Sequence, residues 1–436
     1  FFVSNTPDGL KSANAAANEK THLFITGAYL CSVLGGFLAD WFIGKYRTIL
    51  WLSIVYCFGH LCLALFDTNL NGFMLGLILI ALGSGGIKPC VSANVGDQFD
   101  EKNKDLIPKL YDIFYFSINF GALFSQLLIP YLKEHYGSAV AFGVPGVLMA
   151  LATFVFWLGR DKYKKMPPSG IPEVTFLGIS FYAFSKLFQN RNGKSIWEAA
   201  QDKYKAENIE NTKGVWRVLI VFSFIPIFWA LYDQNGSEWV LQAGQMDLHF
   251  MGKDWLAEQV QSINAILILV FVPLFSIFLY PYCNSIGLKV TPLRKIGAGL
   301  VLMILTFVII AWIQTQIDAG GKPNIGWQIL AYTVITASEV MVSVTGLEYA
   351  YTQAPMSMKS TVMAFWLLTV SLGNYLVSYI NSSIQHKGFF SQYTGASYYW
   401  FFCGVLTVTT LLYLVVAYFI KPKQLVADSI VLDIHE

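Results

Sequence analysis

Charge is what this chain lacks most. Asp, Glu, Lys and Arg make up 13% of its 436 residues, and 55% of the residues are hydrophobic. Soluble domains carry about 25% charged residues, so a soluble globular domain is excluded and a polytopic membrane protein is expected. Cysteine pairs are also missing. Cys31, Cys57, Cys62, Cys90, Cys283 and Cys403 lie in or at the ends of apolar segments, and none forms a C-x-x-C pair. Free thiols are expected, with no disulfide or zinc framework. No metal-ligand cluster, nucleophile motif or phosphate loop interrupts the apolar pattern, which argues against a membrane enzyme and calls for no cofactor. The opening FFVSNTPDGL has no basic stretch or small-residue cleavage site, so no cleavable signal peptide is expected. The net charge of +2 says little about partners. No nucleic-acid partner is expected, and the composition requires a lipid bilayer.

Apolar runs near the ~20 residues that cross a bilayer recur along the whole chain. Eleven spans are expected, at about 21–44, 47–66, 72–98, 109–132, 138–159, 216–236, 257–283, 293–317, 325–353, 358–384 and 396–420. Lys and Arg set the orientation. With residues 1–20 outside, the inner segments hold 22 of the 29 basic residues, the outer segments hold 6, and Lys88 lies within a span. The visible N-terminus is therefore expected outside and the C-terminus in the cytoplasm. An odd count with an outside start suggests one further helix before Phe1, with Phe1 to Ser4 as its tail.

The chain has a polar, basic waist. The expected division is an N-terminal bundle at 1–160, a cytoplasmic linker at 161–215, a C-terminal bundle at 216–421 and a tail at 422–436. Within the linker, Val174 to Phe188 is apolar but too short to span, so it is expected at the interface. Ser195 to Lys205 reads as a short amphipathic helix. Six helices on each side of an inner linker, once the preceding helix is counted, form a two-bundle layout in which solute binds at the midplane.

The stretch Gly83 to Phe99, GSGGIKPCVSANVGDQF, carries the sharpest signal. Lys88 lies about ten residues, ~15 Å at helical rise, from Asp97 at the expected inner surface. A charge at that depth costs at least ~2.5 kcal/mol and marks an ion or solute path; the plainer alternative is a lysine that snorkels to the headgroups. The neighbouring glycines allow close backbone approach, and Pro89 lacks a helical donor. Further along, GGFLADWFIGKYRT ends the first span with Asp40, Lys45 and Arg47 on a short loop. Such a loop can lock helix ends together, or be an ordinary inner turn.

That loop, with Gly36, Asp40, Gly44, Lys45 and Arg47, resembles the G-x-x-x-D-x-x-G-[RK]-x-[RK] signature of the major facilitator superfamily. Four longer stretches narrow the likeness: GIKPCVSANVGDQF, FYFSINFG (Phe114 to Gly121), FWALYDQNGSEW (Phe228 to Trp239) and Glu339 to Thr369. In this order they resemble the proton-dependent oligopeptide transporter family, over about His22 to Asn374. The fold implied is all-α, a major facilitator fold of two six-helix bundles with the first helix missing here. That first helix carries the family's E-x-x-E-R motif, and nothing in this chain supplies it.

The resemblance implies roles for particular residues. Lys88 would bind a peptide carboxylate and Glu339 its α-amino group; Glu339 could equally make an internal helix-to-helix hydrogen bond. Asn119 and Asn264 could bond the peptide backbone. Tyr29, Phe228, Trp229 and Trp366 could wall a pocket for variable side chains, or simply pack. His22 sits where animal members of the family carry histidine, and titrates near neutral pH; the alternative is a surface histidine at a helix start. Asp233 and Arg217 are assigned to the outer and inner gates. They are sixteen residues, ~24 Å, apart on a helix and cannot pair with each other, so each should find a partner across the bundle interface. Arg217 could instead be a basic anchor. Glu348 reads as a gate or packing group. Pro145, Pro226 and Pro273 are expected to kink their helices.

Together these imply a symporter that imports di- and tripeptides with the proton as coupling ion, in the plasma membrane. Carriers of nitrate, histidine or another small solute in the same family, and a non-transporting receptor, remain open alternatives.

Overall fold

A computed structural model describes residues 10–98, 107–168, 170, 174–186, 195–353 and 358–420. The expected helix tail at Phe1 to Ser4 and the tail at 422–436 lie outside the described residues. The first group of helices is α1 (Leu10–Phe37), α2 (Lys45–Leu65), α3 (Leu70–Gly96), α4 (Ile107–Tyr136) and α5 (Ser138–Leu158). The waist carries α6 (Phe176–Ser185). The second group is α7 (Ala206–Phe222), α8 (Ile225–Tyr232), α9 (Glu238–Ala243), α10 (Ser262–Pro273), α11 (Tyr280–Ser285), α12 (Pro292–Asp318), α13 (Gly326–Glu339), α14 (Thr345–Gln353), α15 (Lys359–Gln385) and α16 (Ala396–Phe419). A two-stranded hairpin pairs His249–Phe250 with Lys253–Asp254.

Among the described residues, nine helices are long and apolar enough to cross a membrane, and the bent run of α7 with α8 and α9 makes a tenth. The span expected at 109–132 does form a 30-residue helix, α4. Short turns join α1 to α2, α2 to α3 and α4 to α5, which sets each pair antiparallel, and lysines gather in alternate connections of the chain, so the molecule has a lysine-rich end and a lysine-poor end.

Proline has different effects at different places. Pro226 opens α8 just after a 42° bend, and Pro273 closes α10 before a π turn at Leu274–Leu279. Pro145 and Pro89 lie inside continuous helices, with no break in either. Two further π turns matter. One, Leu38–Ile43, contains Asp40, and the other, Val340–Val344, begins immediately after Glu339.

The two groups cohere by different means. The second has a large side-chain core that includes Phe228, Trp239, Phe307, Tyr332, Tyr349 and Trp366. The first has only a small apolar cluster of Ala39, Ile49, Ile87 and Cys90. Its helices instead meet backbone to backbone. A Cβ on Gly85 would lie 2.2 Å from the Ala28 carbonyl oxygen, and one on Gly35 would lie 2.4 Å from Gly86 Cα. The glycines of α3 thus let α1 approach to contact distance, where dispersion between backbones replaces side-chain interdigitation.

At the lysine-rich end, Lys45 donates to Asp97 at 2.8 Å and ties the start of α2 to the end of α3. The Gln98 amide clamps the departing chain: it accepts from Lys164 N at 2.9 Å and donates to Lys164 O at 3.2 Å. Beyond it, α6 packs onto α7. Phe176 and Phe184 meet Trp216, whose indole donates to Ser180 Oγ at 3.1 Å. Ser195 and Glu198 form a capping box on the short helix Ile196–Ala199, within the stretch expected to be helical.

One prediction follows from the glycine contact. Gly85→Ala drives a methyl into the Ala28 carbonyl, and overpacking of this kind costs about 1–3 kcal/mol. The thermal unfolding midpoint in detergent should fall for Gly85→Ala. Gly121→Ala, where nothing lies within 4 Å of the added atom, should melt with the parent. Equal midpoints for both variants would refute the backbone contact.

Candidate functional site

The site is built where α1 meets the second group. On α1, Asn18, His22 and Thr26 recur every four residues and therefore share one face. On α15, Ser371, Asn374 and Ser378 form the facing stripe. The stripes interlock. Thr26 Oγ1 reaches Ser371 O at 3.4 Å while Ser371 Oγ donates to Thr26 O at 3.0 Å, and Ser378 Oγ donates to Glu19 O at 3.0 Å. His22 is completely buried, which removes the surface-histidine alternative.

The His22 contacts fix its tautomer. Asn374 points its Nδ2 at the Asp233 carboxylate, so its Oδ1 faces His22 Nδ1, at 2.7 Å. An amide oxygen can only accept, so Nδ1 carries the proton. Nε2 then lies 2.9 Å from Ser237 Oγ as an acceptor. A chain of polar groups thus runs from Ser237 through His22 and Asn374 to Asp233. Ser237 lies in the quoted stretch Phe228 to Trp239 and Asn374 at the end of the resemblance, but neither carries a role there. Only the facing stripes, once α1 and α15 are known to pack, bring them out.

Lys88 on α3 is exposed, against the expectation of a buried cation. Its ammonium lies 4.4 Å from the Tyr29 ring centroid. Tyr29 packs against the apolar core of the second group, which puts the ammonium at the seam between groups. A cation over an aromatic face gains ~0.5–2 kcal/mol while keeping room for a further partner. Lys88 is within electrostatic range of Asp233, and Tyr29 within range of both Asp233 and Glu339.

Glu339 ends α13 and accepts from Asn264 Nδ2 at 2.9 Å. The same amide donates to Thr336 Oγ1 at 3.0 Å, and Asn264 Oδ1 accepts from Tyr232 OH at 3.4 Å. The Asn264 side chain is therefore fully committed. It holds the Glu339 carboxylate instead of offering a free amide, and the helix-to-helix bond weighed as an alternative for Glu339 exists. Asn119 sits half-buried on α4. Phe228, Trp229 and Trp366 are buried in the second group, with Trp229 edge-on to both Phe228 and Trp366. The Trp229 indole N–H has no partner among the described residues.

Three charges differ from the gate picture. Among the described residues, Arg217 makes no pair across the groups. Its guanidinium bonds Glu210 at 3.0 Å on its own helix, because two turns of α7 bring that carboxylate within reach. Glu348 pairs within the second group, with Lys295 at 2.7 Å. Arg47 is exposed beside the Lys45–Asp97 pair. Asp40 lies half-buried in its π turn.

Known proteins with this architecture can now be compared. A profile of the POT family matches residues 46–395. The chain belongs to the POT family. It is 36% identical over 348 residues to solute carrier family 15 member 2 of Homo sapiens, covering 75% of this chain and 48% of that protein. It is 39% identical over 329 residues to solute carrier family 15 member 1 of the same organism, covering 68% and 46%. The chain thus spans about half the length of these relatives. The solved structure of the POT family transporter PepTSo superposes with a TM-score of 0.87 at 36% identity, covering 96% of this chain and 92% of that one. An auto-inhibited POT family peptide transporter superposes at 0.89 with 33% identity, covering 98% and 93%. The fold is that of the major facilitator transporters, and this POT member is an integral multi-pass membrane protein of a transporter family, not an enzyme.

Asn374 supplies the acceptor for His22 and the donor for Asp233. Each buried polar group left unpaired costs ~1–3 kcal/mol, so Asn374→Ala should lower the thermal midpoint well beyond Ser371→Ala. If the two variants melt alike, the histidine-to-carboxylate bridge is not a structural link.

Proposed function

We propose that this protein is a proton-coupled symporter that imports di- and tripeptides by alternating access, with its lysine-poor end facing outward in a plasma membrane. The observation that carries this reading is that one residue at the seam, Tyr29, lies beside a cation of the first group and within electrostatic reach of a carboxylate of the second. The cation is the Lys88 ammonium, and the carboxylate is that of Glu339. A short peptide is a zwitterion, so it needs a cation for its carboxylate and an anion for its amine. Its variable side chains need an apolar wall, and we assign that role to Phe228, Trp229 and Trp366, which pack together beneath the seam-facing Tyr29 in the core of the second group. The unpartnered indole N–H of Trp229 is a spare donor for the peptide backbone. The likeness to a solved peptide transporter of the POT family supports the same substrate class.

His22 suits proton coupling. It holds one proton on Nδ1 and can take a second on Nε2. To accommodate it, Ser237 must turn its hydroxyl away, toward Gln234 O at 3.4 Å. The closed end then rearranges in response to a proton. One proton moving down 100 mV yields ~2.3 kcal/mol, enough for roughly 50-fold accumulation of a solute.

The test is uptake of labelled dialanine by the full-length protein in proteoliposomes, with and without an inward proton gradient. Gradient-dependent uptake that excess tripeptide abolishes is expected. Glu339→Gln and Lys88→Ala should each weaken uptake at least ~10-fold, since each removes one charge-assisted contact. Full uptake by Glu339→Gln would remove this site assignment. Competition by free histidine or nitrate, but not by peptide, would leave the family and replace the substrate.

A further inference from the structure

Beside the histidine network, the closure contains a shielded cross-group contact to a carboxylate. Asn18 on α1 is buried, and its Nδ2 donates to the Glu238 carboxylate at the start of α9. Asn18 stands one helical turn from His22, and Glu238 directly follows Ser237, the partner of His22 Nε2. The start of α9 therefore grips α1 at two successive turns. At the upper turn the pairing involves a histidine, at the lower a carboxylate and an amide. We propose that Asn18 and Glu238 form a second latch of the lysine-poor end, one that sets how readily that end opens independently of His22. The inference rests on the alternating-access reading, and deepens it by adding a gating pair.

Three features of the geometry support this. First, the bond joins the two groups, so it must break whenever they separate at this end. Second, an amide donating to a carboxylate is a charge-assisted bond, stronger than the neutral serine and threonine contacts beside it. Third, Glu238 lines a cavity of about 760 Å³ at the lysine-poor end, together with Asn14, Gln314, Asp318, Tyr398 and Tyr399. A carboxylate at a cavity wall rehydrates as soon as its partner leaves. Breaking the bond therefore avoids the full cost of an unpaired buried charge. A contact of this kind is strong enough to hold a closed state and weak enough to release it.

The remaining cross-group contacts place the latch among its neighbours. Lys133 pairs with Glu258 at 3.0 Å, and Gln259 Nε2 donates to Leu127 O at 3.1 Å, joining α4 to the residues before α10. The Lys133–Glu258 pair is exposed on both sides and contributes little. Asn18–Glu238 is the charged contact that is shielded.

Hydrogen–deuterium exchange of the full-length protein in nanodiscs tests the latch directly, because water reaches α1 and α9 when the end opens. Asn18→Ala and Glu238→Ala should each speed exchange in residues 13–26 and 237–243 by roughly tenfold, the worth of one hydrogen bond to a charged group. The double variant should exchange no faster than either single variant. Asn18→Asp sets two carboxylates against each other and should open the end. Adding Glu238→Gln restores an amide-to-carboxylate pair with reversed polarity, and exchange should return to the parent rate. This rescue keeps the test decisive if the alanine variants fail to fold. Parent-like exchange in the single variants, additive effects in the double, or failed rescue would each overturn the latch. If the variants show these exchange effects but the parent protein takes up no peptide, the latch stands and the substrate assignment falls.

Discussion

Separation of the two helix groups at the lysine-poor end is governed by a row of polar contacts along one face of α1. His22 lies at its centre, fully buried, with one ring nitrogen bonded to Asn374 of α15 and the other to Ser237. A buried imidazole with both nitrogens satisfied is stable only while both partners stay. The same row holds Thr26 against Ser371 and Glu19 against Ser378. Among the described residues the cross-group hydrogen bonds cluster at this end, so the structure is closed there. The positions of Lys88, Tyr29 and Glu339 relative to one another depend on that closure.

Much of the architecture was legible in the amino-acid sequence because hydrophobic length is a one-dimensional property. Each of the eleven expected spans corresponds to a helix or a bent run of helices. What the sequence could not give was partnership. His22 was recognisable as a titratable group, but its burial and its bond to Asn374 depend on two helices separated by 352 positions. Asn264 shows the converse. An asparagine in an apolar helix must be bonded to something, and whether that is a solute or a neighbouring carboxylate is decided by packing with α13. Arg217 is assigned to the inner gate by resemblance alone. A carboxylate two turns away on the same helix was a nearer partner, and locality won.

The difference in packing between the groups bears on how each moves. The first is held by backbone contacts at Gly35, Gly85 and Gly86, which tolerate no insertion and little sliding. It should behave as one stiff body. The second has a side-chain core but is interrupted by a bend at Pro226 and by π turns after Pro273 and Glu339. Local bending is easiest where helical hydrogen bonds are already disturbed. Glu339 stands at such a point, so a change in what its carboxylate holds acts on the weakest turn of its helix.

The Gln98 clamp gives the waist of the chain a particular mechanical character. The strand leaving the first group is pinned at Lys164, and α6 is pinned onto α7 through Trp216. The chain stays on the first group past the clamp, with the Lys165 ammonium 4.7 Å from the Tyr46 ring centroid. The two ends of the waist are thus fastened to different groups, so each anchor travels with its own group and the angle between the halves is left to the seam.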